Sequence, residues 1–382
     1  MRPRLAFAAG VLALVAFELA NIYFVMPFLG SQRLDSLSLA YALYRWRWPI
    51  RAACVALMLA GVADAWRAGR GWRAGLALGS VAVAVAAYAA NFVMAADKMF
   101  EQPRTLSLRP AGENQVPLDG LVVGIEVNGE ARAYPLRLIG YHHQVRDTVG
   151  GTDVLVTYCT VCRTGRVFSP LLDGKAERFR LVGMDRWNAL LEDESTGSWW
   201  RQATGVAVAG RRKGMRLAVI HSEQVALREW LAIHPASLVM QADPTFADSY
   251  PKDDAFEKGT SRKRLTGTNP ESWQEKSWVV GIEIGGRSKA FDWNRLRRER
   301  VINDSVAGTP IVLVLAADEA SFFAFERPDA ETHFALEGET LVGASGRYGL
   351  SGRGPAGNLT PVAASQEFWH SWRSFHPETE RY

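Results

Sequence analysis

Two cysteines near the middle of the chain carry the clearest chemical potential in the sequence. Cys159 and Cys162 are separated by two residues and are the only cysteines outside the apolar N-terminal region. This spacing lets both sulfurs face one point, so the pair can close a disulfide, present two thiolates to a metal, or cycle between oxidised and reduced states. The motif by itself does not distinguish these uses.

The residues after the pair exclude some cysteine sites. A c-type haem site needs a histidine directly after the second cysteine, and Arg163 stands there. A zinc ribbon needs a second cysteine pair, which the sequence lacks. Thr164, Gly165 and the apolar run that follows predict a tight turn between strands, whereas a thioredoxin-type motif opens a helix.

Two histidines upstream could complete a metal site. His142 and His143 precede Cys159 by 17 and 16 residues. Two thiolates and one imidazole are soft ligands that suit copper or zinc, and Met184 is available as a further ligand. We therefore expect a soft-metal or redox site here, with copper preferred to zinc.

An internal repeat provides a control for this hypothesis. Residues 122–129 recur as 279–286, and the offset of 157 residues extends to Phe168 and Phe325. Residue types shared by both copies are best explained by a shared fold, whereas types confined to the first copy are candidates for chemistry. The second copy has Glu299, Arg300, Ala316, Glu319 and Ala320 where the first has His142, His143, Cys159, Cys162 and Arg163.

Both copies are predicted to be rich in β-structure. Asn128-Gly129 and Gly285-Gly286 lie between apolar, β-branched runs, which is typical of hairpins. Helical apolar spacing with a serine cap predicts a closing helix over 222–234 and another over 365–376. The predicted fold class is α+β, mainly β: N-terminal transmembrane helices are followed by two tandem homologous β-rich domains, the second degenerate.

The domain boundaries follow from these patterns and from the polar segments between them. We expect a membrane region over 1–96, a linker over 97–117, a first repeat over 118–242, a connecting loop over 243–277 and a second, degenerate repeat over 278–382.

Three apolar segments predict membrane spans at 5–28, 49–65 and 74–96, with two spans as the alternative. Arginines collect before the first segment and between the second and third, at Arg2, Arg4, Arg67, Arg70 and Arg73. The positive-inside rule places these clusters in the cytoplasm. We expect an integral protein of the inner (cytoplasmic) membrane, with its soluble part on the extracytoplasmic, periplasmic side.

The distribution of charge excludes a nucleic-acid partner. Residues 1–96 hold nine arginines against three acidic residues, or +6, and the remainder holds 35 basic against 37 acidic residues, or −2. A nucleic-acid surface needs basic residues gathered on the folded part. A small molecule or another protein remains as the partner.

Several motifs together resemble a bacterial family known as domain of unknown function 3179. They include Asp147 to Gly151, Thr157-Tyr158-Cys159 with Cys162, and the closing stretch Phe375 to Thr379. The resemblance covers about residues 118–382. In that family a histidine precedes the Asp-Thr-Val-Gly-Gly turn by five residues, which implies His142 rather than His143 as the site residue. The family name implies no activity.

Three functions remain open from the sequence. The first is a membrane-anchored protein with a copper or zinc site at Cys159, Cys162 and His142. The second is a metal-free thiol–disulfide protein that uses the same cysteines. The third is a non-enzymatic binding module in which the pair is a structural disulfide, and the sequence does not decide whether the protein is an enzyme.

Overall fold

The computed structural model describes residues 3–382, so Arg2 lies outside the described residues. The fold is mixed, with a helical N-terminal region followed by a β-rich part made of many small sheets. Contacts divide the chain into two compact units. Unit 1 contains the chain up to Glu101 together with Phe179–Trp200 and Ala207–Lys213, and unit 2 contains Gln102–Arg178, Arg201–Val206 and Gly214–Tyr382.

The α-helices are α1 (Pro3–Tyr23), α2 (Leu37–Arg45), α3 (Arg47–Arg67), α4 (Arg70–Tyr88), α5 (Ala96–Met99), α6 (Leu136–His142), α7 (Leu227–Ile233), α8 (Trp293–Glu299) and α9 (Trp369–Phe375). The strands are β1 (Leu108–Pro110), β2 (Leu121–Val127), β3 (Glu130–Pro135), β4 (Gln144–Val149), β5 (Thr152–Cys159), β6 (Thr164–Phe168), β7 (Leu171–Leu172), β8 (Lys175–Ala176), β9 (Phe179–Asp185), β10 (Asn188–Asp193), β11 (Trp199–Arg201), β12 (Val206–Ala209), β13 (Val219–Ile220), β14 (Glu223–Ala226), β15 (Leu238–Met240), β16 (Trp278–Ile284), β17 (Arg287–Asp292), β18 (Val301–Val306), β19 (Thr309–Leu315), β20 (Phe322–Glu326), β21 (Ala335–Glu337), β22 (Thr340–Gly343), β23 (Gly346–Gly349), β24 (Arg353–Gly354), β25 (Gly357–Asn358), β26 (Ala364–Phe368) and β27 (Glu380–Arg381).

Unit 1 contains three helices that are long and apolar enough to cross a membrane. They are Pro3–Tyr23, Arg47–Arg67 and Arg70–Val93, the last extended by a turn of π-helix. Glu18 on the first helix forms a two-bond ion pair with Arg51 on the second, at 2.7 and 2.8 Å, and Arg51 also donates to Asn91 on the third. Because unpaired charge is costly among apolar helices, this network ties the three helices to one another.

Unit 1 also contains a small sheet of β9 to β12, formed by residues that the sequence analysis placed in the first repeat. Trp199 on β11 is buried against Tyr41 and Tyr44 of the short helix α2, with ring centroids 5.1 and 5.2 Å apart. Tyr41, Tyr44 and Trp199 therefore form an aromatic contact between α2 and this sheet inside unit 1.

Unit 2 contains two sheets that share an order over four strands. One is β1-β15-β3-β2-β14, with five strands, and the other is β26-β16-β17-β27, with four. Glu223 on β14 lies opposite Gly124, and Ser365 on β26 lies opposite Gly281. One buried apolar cluster includes Val122, Trp230, Val312 and Phe325. Residues 118–242 and 278–382 therefore share a core within unit 2.

Two predictions about local structure were too simple. The closing helices begin at Leu227 and Trp369, after the strands β14 and β26, so neither has the serine cap that the spacing suggested. The first residues of each predicted helix form backbone ladders with β2 and β16 instead. The predicted linker includes β1, which pairs with β15.

Candidate functional site

A β-hairpin in unit 2 positions the two cysteines. Cys159 is the last residue of β5 and lies opposite Thr164, the first residue of β6, which confirms the predicted turn between strands. Arg163 in the turn has a positive φ of 57°. Both cysteines are fully buried, they are not joined by a disulfide, and the Cys162 thiol is hydrogen-bonded to that of Cys159. The two sulfurs thus face one point.

The second copy supplies the other wall of the site. The backbone N–H of Phe368 donates to the Cys162 carbonyl at 2.9 Å, and the Ser371 hydroxyl on α9 is hydrogen-bonded to the Cys162 sulfur. Ser371 donates to Glu367 at 2.9 Å, and Glu367 is ion-paired with Arg166 on β6 at 2.6 Å. A buried polar network therefore leads from the thiol to Arg166.

Lys276 and His370 lie beside the turn. The Lys276 ammonium donates to the carbonyls of Val161 and Leu265, both at 2.7 Å. The His370 Nε2 atom lies 3.2 Å from the Lys276 Nζ atom and 3.2 Å from the Val161 carbonyl oxygen. Lys276 thus links the connecting loop to Val161, which lies between the two cysteines.

Burial controls the acid–base properties of these groups. It lowers the pKa of Lys276 to about 8, although negative charge on either cysteine would raise it. Burial and the neighbouring Lys276 charge lower the pKa of His370 to about 3. Burial, and then the hydrogen bond to Cys159, raise the pKa of Cys162 well above its usual value, while Ser371 lowers it. In this closed arrangement Cys162 is held as a shielded thiol, which makes it unreactive.

Arg163 anchors the connecting loop to the hairpin. Its guanidinium donates to the Gln366 side chain at 2.7 Å and to the carbonyls of Phe256 and Glu257 at 2.7 and 2.9 Å. It also lies over the Trp278 ring, 3.8 Å from the centroid. Since all of its nitrogens are bonded and the side chain is buried, Arg163 has a positioning role.

The other predicted ligands have different surroundings. His142 is fully buried, with Nε2 2.8 Å from the Tyr250 hydroxyl, and the Nδ1 atom of His143 lies 3.0 Å from the Tyr141 carbonyl oxygen. Burial lowers the pKa of His143 to about 4. Met184 lies on β9, in unit 1.

Across residues 3–382 no group of three or more His, Cys, Asp or Glu side chains is placed to hold a metal ion. The structure brings Cys159 and Cys162 together and does not bring His142 or His143 into such a group with them.

Four residues of the site were not predicted from the sequence: Lys276, Glu367, His370 and Ser371. Three of them carry a sequence signal, because their residue types are confined to the second copy. Lys276 lies in the connecting loop, which has no counterpart to compare. The second copy has Glu367, His370 and Ser371 where, at the offset of 142 that aligns the closing helices, the first has Val225, Arg228 and Glu229.

Comparisons with known proteins give one match. No curated protein and no solved structure matches the chain. A family model described as "Protein of unknown function (DUF3179)" matches residues 103–379, which include both cysteines, the connecting loop and α9. Because this match covers well over half of the 382 residues, the chain belongs to the DUF3179 family.

Proposed function

We propose that this protein is a membrane-anchored thiol–disulfide protein in which Cys159 and Cys162 form the redox pair. The observation that carries the proposal is that one hairpin turn holds both cysteines, with the Cys159 side chain close enough to raise the pKa of Cys162. Two thiols held next to each other in one turn can form a disulfide with little rearrangement of the strands that hold them.

The reaction is thiol–disulfide exchange with a partner disulfide. One cysteine, as thiolate, attacks a sulfur of the partner disulfide and releases one partner thiol. The other cysteine then attacks the mixed disulfide, which forms the Cys159–Cys162 bond and releases the second partner thiol. The pair loses two electrons and two protons, and the partner disulfide gains them.

Exchange requires the site to open, because both sulfurs are fully buried. The opening element is the connecting loop, which Lys276 holds through the carbonyls of Val161 and Leu265. Once the loop moves, water reaches Cys162 and removes the burial that raises its pKa. Lys276 then remains as the cation beside the thiols, and Ser371 favours the thiolate when its hydroxyl turns from Glu367 to the sulfur.

Trapping of mixed disulfides tests the proposal. A Cys162→Ser or Cys159→Ser variant, expressed in a Cys54→Ser background, leaves an attacking cysteine without its resolving partner. We expect one of these variants to accumulate a covalent adduct that reducing agent releases on gels. The double variant Cys159→Ser, Cys162→Ser in the same background has no cysteine and is the matched control. Absence of a reducible adduct from both single variants would refute the exchange reaction.

A second candidate function is copper(I) binding by the same two sulfurs. Thiolates select copper(I), and the Lys276 ammonium beside them would offset the net negative charge of a two-thiolate site. Anaerobic elemental analysis separates the candidates. One equivalent of copper, lost in Cys159→Ala, supports this function, and His142→Ala should leave that copper in place.

We further propose that the soluble part is a duplicated unit and that it lies outside the cytoplasm. Four strands of each sheet follow the same order, which supports the duplication. The orientation is supported by the grouping of basic residues: the Arg4 guanidinium lies against Trp72, and the Arg4 backbone N–H donates to Asp64, which precedes Arg67 and Arg70 in the chain.

A further inference from the structure

Two cavities within unit 2 share a floor, by which we mean the tryptophan, glycine and histidine that line both of them. In each, a tryptophan lies against a strand glycine and stacks on a histidine, with centroids 4.0 Å apart for Trp372 and His376 and 4.1 Å for Trp230 and His234. Each histidine lies near a glutamate: His376 Nδ1 is 3.8 Å from Glu283. Because these features occur twice, they belong to the framework rather than to a ligand site.

The walls of the two cavities differ in charge. The first, which we name the arginine cavity, has a volume of about 270 Å³ and carries Arg166 and Arg216 against Glu283, or +1. The second, the matched cavity, has about 310 Å³ and carries Arg353 against Glu126 and Glu223, or −1. Because both cavities contain the same tryptophan, glycine and histidine, the difference in wall charge indicates what each cavity can bind.

Arg216 is the group in the arginine cavity that is available to a ligand. The equivalent position in the matched cavity is Asn358, because the backbone pair Val206–Arg216 matches the pair Arg353–Asn358. The arginine of the matched cavity, Arg353, is ion-paired with Glu126 at 3.5 Å. Arg216 is exposed, and over the residues that the structure describes it has no carboxylate partner. Arg166 already bonds Glu367 and the Ala203 carbonyl, so its charge is compensated and Arg216 is the cationic group left for a ligand.

The remaining lining suits a small organic anion. The hydroxyls of Thr204 and Ser222 can donate to a carboxylate held by Arg216, and the exposed Val219 and half-buried Ile220 side chains offer apolar contact to its body. A cavity of this size lies near the lower end of the range for small-molecule sites. The ligand class is therefore a small monocarboxylate.

We propose that the arginine cavity is a binding site for a small carboxylate, with Arg216 as its main anion-binding residue. The site adjoins the cysteine hairpin, because its wall residue Arg166 is linked through Glu367 and Ser371 to Cys162. Binding itself does not require the thiols, so this proposal stands apart from the redox function.

Calorimetric titration of the full-length protein in detergent tests the site. The probes are acetate and benzoate, with acetamide and benzamide as neutral analogues of the same shape. We expect saturable binding of at least one carboxylate, about tenfold or more tighter than its amide, since the charge-assisted bonds to Arg216 are lost in the amide.

Matched variants assign the binding to one cavity. Arg216→Gln should weaken carboxylate binding about tenfold or more, whereas Arg353→Gln, in the matched cavity, should leave it unchanged. The variant Cys159→Ser, Cys162→Ser should bind as the wild type does, which separates this result from any failure of the redox function. Absence of saturable binding of both carboxylates, or equal affinity in Arg216→Gln and wild type, would overturn the proposal.

Discussion

At the scale of single residues, burial rather than sequence spacing gives the site its chemistry. His370 is only 8% exposed and lies next to the Lys276 ammonium, so its protonated form is strongly disfavoured. Ser371 on the same helix acts in the opposite sense on Cys162, because its hydroxyl lowers the pKa of that thiol. The roles of His370 and Ser371 cannot be predicted from their residue types, because each role depends on the groups around the side chain.

His370 should make the folded state sensitive to acid. Its pKa is about 3 when folded against 6.5 when exposed, so the unfolded chain binds more protons between these values. Stability from this group is therefore complete above about pH 6.5 and is lost as the pH falls toward 3. At pH 5 the loss is about 2 kcal/mol.

The measurement is the thermal midpoint of wild type and His370→Gln at pH 7.5 and pH 5. The wild type should lose several degrees more than the variant on acidification. The exposed histidine variant His333→Gln is the control and should behave as the wild type does. Equal losses in wild type and His370→Gln would contradict the assignment.

Ser371→Ala should make Cys162 less reactive. Without the hydroxyl, the pKa of Cys162 rises further, and the thiolate fraction falls by about tenfold for each unit of pKa. Rates of iodoacetamide alkylation of Cys162, followed by mass spectrometry at pH 8, measure this change.

The control for this variant is Ser374→Ala on the same helix. The Ser374 hydroxyl donates to the His370 carbonyl and has no contact with the thiol that would alter its pKa. Alkylation at wild-type rate in Ser371→Ala would show that the hydroxyl does not act on Cys162.

At the scale of elements, the site depends on how closely α9 approaches β16. Trp372 lies directly over Gly281, where a Cβ atom would come within 2.1 Å of the indole ring. Only glycine permits this contact, and α9 in turn carries His370 and Ser371. One strand glycine thus sets the position of two site residues.

Gly281→Ala should therefore displace α9 and loosen the site. Overpacking of this kind costs about 1–3 kcal/mol, which should lower the thermal midpoint and speed alkylation of the cysteines. Gly349→Ala is the control, since the atom nearest to its Cβ would be 3.8 Å away. Unchanged alkylation and stability in Gly281→Ala would mean that the helix adjusts without cost.

The elements that the sequence predicted well are those with local signals. The turn between Cys159 and Thr164 follows from glycine and the flanking β-branched runs, and it is present. The starts of α7 and α9 were misplaced because the residues before them pair with β2 and β16, which are distant in sequence. Helical periodicity indicates which face of a segment is apolar, but it does not indicate which distant strands the segment pairs with.

At the scale of the whole molecule, the three apolar helices were predictable because membrane spans have a compositional signal. The assignment of Phe179–Trp200 to the unit that contains them was not, since it depends on packing of Trp199 against α2. The role of the second copy in the cysteine site is signalled only by the residue types confined to that copy, because the site combines different positions from the two copies.

The orientation of the chain in the membrane is testable with reporter fusions. Alkaline phosphatase joined after Tyr382 should be active, because that enzyme requires the extracytoplasmic side, and green fluorescent protein at the same point should be dark. The same reporters inserted at Gly69, between the second and third helices, should give the opposite result. A fluorescent, phosphatase-inactive C-terminus would reverse the orientation.

The most direct test of the central claim is a redox titration of the purified full-length protein. After equilibration across dithiol and disulfide buffers, free thiols are alkylated and counted by intact mass, in a Cys54→Ser background. We predict one two-electron transition in which Cys159 and Cys162 change together. A pair that stays oxidised at every potential would contradict the claim and identify a static disulfide, and a pair that never oxidises would exclude exchange altogether.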